Sequence, residues 1–143
     1  MDHVVCLDAK SMELEKLLVG EKTILVRPSE AGTSSTIPVS AGDTLYFLRK
    51  AKARVLAKAT VRAAPIFQRL TPEQAHTLVT TYQQKIQFSK EQLNRWSMLG
   101  NLALIEVESV YPVEPFSIDP KCIEGAHSWL SVGSIERVKA NPQ

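Results

Sequence analysis

Apolar and polar positions alternate with a period of two along much of this chain, and shorter stretches with helical spacing interrupt them. The clearest alternation lies at residues 53–63. Ala53, Val55, Ala57, Ala59, Val61 and Ala63 take the odd positions, and Arg54, Leu56, Lys58, Thr60 and Arg62 the even ones. Such a strand turns a small apolar face to the core and carries Arg54, Lys58 and Arg62 as a ladder on the other. Residues 44–50 precede it as its hairpin partner, with the turn near Ala51 and Lys52. Residues 4–7 form a short apolar run that suits a buried first strand. Residues 101–113 return to strand, with Ala103, Ile105, Val107 and Tyr111 expected inward and Glu106 and Glu108 outward. Residues 128–134, around Trp129, read as a closing strand.

Helical spacing appears three times. Asp8 is suited to cap a helix over residues 9–19, with Met12, Leu14, Leu17 and Leu18 on its apolar side and Glu13, Glu15 and Lys16 toward water. Thr71-Pro72-Glu73-Gln74 is a helix start with a capping Thr, Pro at the first position and Gln three residues after the cap. Ala75, Leu78, Val79, Tyr82 and Ile86 then share one side, as core packing. Ser89-Lys90-Glu91-Gln92 repeats the capping pattern, and Leu93, Trp96 and Leu99 continue a further helix to Gly100. Residues 28–36, rich in Ser, Thr, Gly and Pro, read as a surface loop. Strands interleaved with short helices predict an α+β fold, a mixed β-barrel with short helices packed around it, forming one domain over residues 1–143.

One junction organises the rest. Gly20 follows Leu14, Leu17 and Leu18, where a helix C-terminus favours a left-handed glycine. Thr23, Ile24, Leu25 and Val26 then favour an extended chain. Lys22 and Arg27 are an odd number of residues apart, so a regular strand points them to opposite faces. A cleft at this turn would hold Lys22, with Thr23 or Arg27 contributing.

Gly20, Lys22 and Arg27 also carry a resemblance. Their spacing is similar to the G-x-K-x-x-x-x-R signature of the ASCH family, of the PUA-like superfamily of small RNA-binding β-barrels. The helix before the motif, Ala41-Gly42-Asp43 leading into the next strand, and the long strand after it fit the same family. The resemblance implies a PUA-like barrel that binds RNA or a modified nucleotide. Some ASCH-type proteins are amidohydrolases of acylated cytidine that use a lysine, a threonine and a glutamate, and others are ribonucleases. Lys22 matches the lysine. The threonine position holds Leu25, which has no group for proton transfer, and Glu91, Glu106 and Glu108 are all open as the glutamate. Any catalysis therefore centres on Lys22, and no acid or base is otherwise assigned.

Charge adds one feature. The formal net charge is only +2, yet no acidic residue lies between Asp43 and Glu73, an interval holding Arg49, Lys50, Lys52, Arg54, Lys58, Arg62 and Arg69. Segregation of this kind predicts a local positive field. The expected RNA-binding set is accordingly Lys22, Thr23, Arg27, Arg49, Lys50, Lys52, Arg54, Lys58, Arg62 and Trp129, with Trp129 offering a ring for one base and Tyr46 ranked behind it. A protein partner for the basic face stays open as an alternative.

His3, His76 and His127 are widely spaced, and Cys6 and Cys122 form no ligand pair, so no metal and no cofactor are expected. The two cysteines read as reduced thiols in a cytoplasmic protein. No apolar run reaches the roughly 18 residues of a membrane span.

Overall fold

The computed structural model describes residues 1–7, 12–28, 39–49, 54–87, 91, 100–119 and 129–139. In chain order the elements are β1 (Asp2–Leu7), α1 (Glu13–Leu18), β2 (Ile24–Pro28), β3 (Thr44–Arg49), β4 (Arg54–Ala63), β5 (Ile66–Phe67), α2 (Pro72–Thr81), α3 (Gln83–Ile86), β6 (Leu102–Ser117) and β7 (Trp129–Gly133). A 3-10 turn, Ile135–Arg137, follows β7. The strands form one sheet in the order β2-β6-β4-β3-β1-β7, with β5 on the side of β6. The β1–β3 pairing is parallel and the others are antiparallel, so the sheet is mixed. It curls into a half-barrel with short helices against it, the α+β PUA-like architecture expected from the sequence.

The alternation in β4 folds as its pattern dictates. Val55, Ala57, Ala59 and Val61 are buried, while Lys58 is half-buried and Arg54 and Arg62 are exposed. Ala57, Ala59 and Val61 join Val5, Leu7, Leu45, Phe47, Ala103, Ile105 and Val107 inside the curl. The long strand β6 is buried on both faces at its start. Its odd positions enter that core, while Leu102 and Leu104 pack on the other side against Ala75 and Val79 of α2 and Ile86 of α3. Farther along the sheet, Val4, Leu48 and Val55 are covered by Ile118, Val132, Ile135 and Val138. Helices thus seal one part of the outer surface and the C-terminal segment another.

The helix ends follow local chemistry. After α1, Gly20 adopts φ 81°; its N–H bonds the Leu17 carbonyl at 3.2 Å, and the Glu21 N–H bonds that of Lys16 at 3.0 Å. This pair is the Schellman arrangement, which a glycine in the left-handed region completes. At the start of α2, Thr71 and Gln74 bond each other's backbone N–H reciprocally, at 3.1 and 2.9 Å, as the sequence foretold.

Three expectations are corrected. The residue at the N-cap of α1 is Met12, with φ 56° and no side-chain cap, and its side chain is exposed rather than part of the apolar stripe. The second helical pattern breaks at Tyr82 into α2 and α3, and Tyr82 is exposed. Tyr111 faces outward at 46% exposure. Ser109, at φ 55°, lies where the β4–β6 register slips, so the period of two that placed Tyr111 inward does not continue past it. The Asp8 cap, the loop after Pro28, the turn at Ala51 and Lys52, the helix carrying Trp96, and Cys122 with His127 lie outside the described residues.

Gly20→Ala provides a clean test of the α1 end. A Cβ there meets nothing within 4 Å, so the expected loss of about 1 kcal/mol comes from left-handed backbone strain alone. Urea unfolding measures it, and an unchanged midpoint would refute the strain account.

Candidate functional site

The Schellman turn returns the chain from α1 directly to Lys22, just before β2. Lys22 is 2% exposed, and its amine donates to the carbonyl oxygen of Ile86, the last residue of α3. Glu13, in the first turn of α1, lies beside it with Oε2 3.7 Å from Nζ. Arg27, from β2, reaches the other oxygen of the same carboxylate, with Nη2 3.8 Å from Oε1. Lys22 and Arg27 therefore converge, because Lys22 precedes the strand and the alternation of β2 does not apply to it. Glu13, expected to face water, is buried here between the two cations. No periodicity marks Glu13; the usable signal was the turn itself, which folds β2 back along its helix.

Among the described residues, Lys22 and Arg27 flank the one carboxylate of Glu13. Burial lowers the Lys22 amine from 10.5 to about 8; Glu13 opposes that shift, and the charges of Arg27 and Lys16 add to it. Arg27 Nη1 donates to its neighbour's carbonyl, that of Val26, at 2.8 Å. Its Nε–H is buried with no acceptor among the described residues. A buried donor left unmatched is costly, so a further acceptor there would be favourable. Thr23 is half-buried and held by its backbone: its N–H bonds the Lys85 carbonyl at 2.8 Å and its carbonyl accepts from Val107 at 2.9 Å. Leu25 is fully buried in the core.

Trp129 stands elsewhere, on β7 at the opposite edge of the sheet from β2. Its indole N–H donates to Nδ1 of His3 at 3.1 Å. An indole N–H only donates, so Nδ1 accepts and the His3 proton sits on Nε2, which bonds Asp43 Oδ2 at 2.8 Å. Ser131 Oγ lies 2.9 Å from the same Nδ1. Ser131, His3 and Asp43 stand in the order of an acyl-transfer relay. The lone pair that a nucleophilic serine would use is, however, already engaged by Trp129. Burial works against the Asp43 charge, but hydrogen bonds from His3, the Ser40 N–H and the terminal amine outweigh it and hold the carboxyl below its usual range. The network ties β7, β1 and the entrance to β3 together.

The β4 ladder is not one row. The register slips between Val55 and Ala57; Val55 packs in the outer cluster and Ala57 inside the curl, so Arg54 stands on the face opposite Lys58. Arg62 has Glu106 Oε1 3.7 Å from Nη1, and Thr60 pairs with Glu108. The acid-free interval of the sequence therefore meets carboxylates of β6 in space. Lys50, Lys52 and the Arg49 side chain lie outside the described residues; Glu91 and Glu108 are exposed.

The curled α+β half-barrel is similar in fold to solved ASCH-domain structures. A serine variant of the ASCH protein from Zymomonas mobilis superposes with a TM-score of 0.68 at 14% identity, over 95% of this chain and 91% of that one. A tyrosine variant of it gives 0.67 at 14% identity over 95% and 93%, and the unsubstituted protein 0.65 at 14% over 92% and 87%. At that identity the likeness is one of fold. No protein-family model matches the sequence, and no curated protein matches it. No helix among the described residues is long and apolar enough to cross a membrane.

Lys22 gives the site a measurable pH signature. Its folded value, about 8, lies below its unfolded one near 10.5, so the unfolded chain binds more protons above pH 8 and stability rises with pH there. Between pH 7 and pH 10 the gain from this group is about 2 kcal/mol. Urea midpoints at the two pH values should show it in the wild type and not in Lys22→Met; equal pH dependence in both would overturn the assignment.

Proposed function

We propose that this chain binds RNA or a nucleotide with a modified base, and that the Glu13–Lys22–Arg27 site takes an anionic group of that ligand. The carrying observation is the Arg27 Nε–H, buried beside Glu13 and Lys22 with no acceptor among the described residues. A phosphate oxygen supplies a negative charge and an acceptor for a planar guanidinium. The ASCH-type fold, whose wider class of barrels binds RNA, supports the same reading. Thr23 borders the site, and Arg54, Lys58 and Arg62 add charge around the barrel rather than along one track. The whole chain acts in this reading as one binding domain.

A second reading has a specific observation behind it. An amine at about pKa 8 beside a buried carboxylate is poised for proton transfer near neutral pH, as a hydrolase of a modified nucleoside requires. In that case Glu13, beside Lys22, is the candidate carboxylate in place of Glu91, Glu106 or Glu108.

Fluorescence anisotropy with a pool of short labelled RNAs, repeated over a salt series, tests the first reading. Wild type should bind with an affinity that falls as salt rises, and Arg27→Ala should weaken binding about tenfold or more. Absence of binding at low salt would sink the proposal. Lys22→Ala then separates the two readings: it weakens affinity in a binder and abolishes turnover of an acylated cytidine in a hydrolase.

A further inference from the structure

The sheet carries an aromatic surface that the pattern of the sequence concealed. Tyr46 of β3 pairs in register with Lys58 of β4, and Lys58 pairs with Tyr111 of β6. Paired residues on neighbouring strands point to the same face, so Tyr46, Lys58 and Tyr111 form one row across three strands. Lys58 Nζ lies over the Tyr111 ring, 5.3 Å from its centroid. The row continues toward the C-terminal segment: Tyr46 meets Phe116 edge-on at 6.1 Å, and Lys139 Nζ sits 4.6 Å from the centre of the Phe116 ring. Tyr111 is the open member, at 46% exposure, whereas Tyr46 and Phe116 are half-buried.

We infer that this face is a binding surface for single-stranded RNA, with one base stacked on Tyr111 and the adjoining phosphate held by Lys58. The inference rests on the RNA-binding reading above and gives it a second, exterior point of contact. Three physical points carry it. A flat ring standing open on a rigid strand presents the area that bases stack on, irrespective of sequence. A lysine beside the ring supplies the charge for the phosphate that follows a stacked base. A side-chain hydrogen bond to Tyr111 holds Lys58 beside the ring and raises the amine above its usual value.

Charged pairs flank the row on both sides. Glu106 and Glu108 occupy the β6 end beyond Thr60, with Glu106 on Arg62. Lys139 lies the other way, past Phe116, with Glu136 3.1 Å away. Trp129, the ring favoured by the sequence, has its indole N–H committed to His3.

Stacking and charge leave different traces, which makes the surface testable. Anisotropy of a labelled oligouridine, read against salt, should show Tyr111→Ala binding about tenfold more weakly with an unchanged salt slope, and Tyr111→Phe binding as wild type. Lys58→Ala should lower the slope by about one. A duplex RNA of the same length should bind alike to wild type and Tyr111→Ala. If wild type binds oligouridine and Tyr111→Ala binds equally well, this surface is refuted while the RNA-binding reading stands. If wild type does not bind any RNA, both fail. Both substitutions are at surface positions, and an unchanged urea midpoint excludes unfolding as the cause of a loss.

Discussion

A strand buried on both faces at its start and only partly buried thereafter cannot keep a single alternation, and β6 meets that constraint at Ser109. Before Ser109, Leu102 and Leu104 pack under α2 and α3 while Ala103, Ile105 and Val107 fill the curl. After it, among the described residues, β6 pairs with β4 alone. A left-handed residue other than glycine costs about 1–2 kcal/mol, so the slip persists because the pairings on either side dictate it. Everything that follows depends on the new register. Tyr111 is turned outward beside Lys58, Phe116 comes opposite Val55, and Ile118 reaches the cluster that the C-terminal segment closes.

The parts of the fold that could be read from the residues are those governed by nearest neighbours. The β4 alternation, the Thr71–Gln74 capping box and the glycine end of α1 each depend on residues within a few positions, and each formed. What could not be read was set by long-range register. The β4 bulge that parts Arg54 from Lys58 arises from fitting β4 between β3 and β6, two strands with different slips. Glu13 looked like a solvent residue because its helix is short, and only the return of β2 places two cations over it. Charge segregation along the chain likewise failed to predict charge in space, since β4 is bordered by the strand that carries Glu106 and Glu108.

The His3 network shows how a sheet edge can be fixed without apolar area. Trp129 and Ser131 reach His3 from one strand and Asp43 from a turn, and a donor-only indole decides which ring nitrogen bears the proton. A polar network of this kind specifies one register, because a slip of one residue would leave the imidazole buried without partners. β7 contributes few buried apolar side chains, so this specification matters most at that edge.

Lys22 has a position of its own in the energetics. Its amine bonds the carbonyl of Ile86 at the C-terminal end of α3, where the helix leaves acceptors unmatched and a cation is favourable. The same amine faces Glu13, and burial holds its affinity for the proton low. A lysine engaged by a helix end cannot turn wholly to a ligand without releasing that helix. Ligand contact at Lys22 and the seating of α3 on β2 are therefore linked. Arg27 has no such second duty for its Nε–H, which makes the guanidinium the freer of the two cations. In the proposed binding, an incoming anion would therefore gain most by bonding Arg27 first and relieving Lys22 through charge alone, which leaves the α3 contact intact.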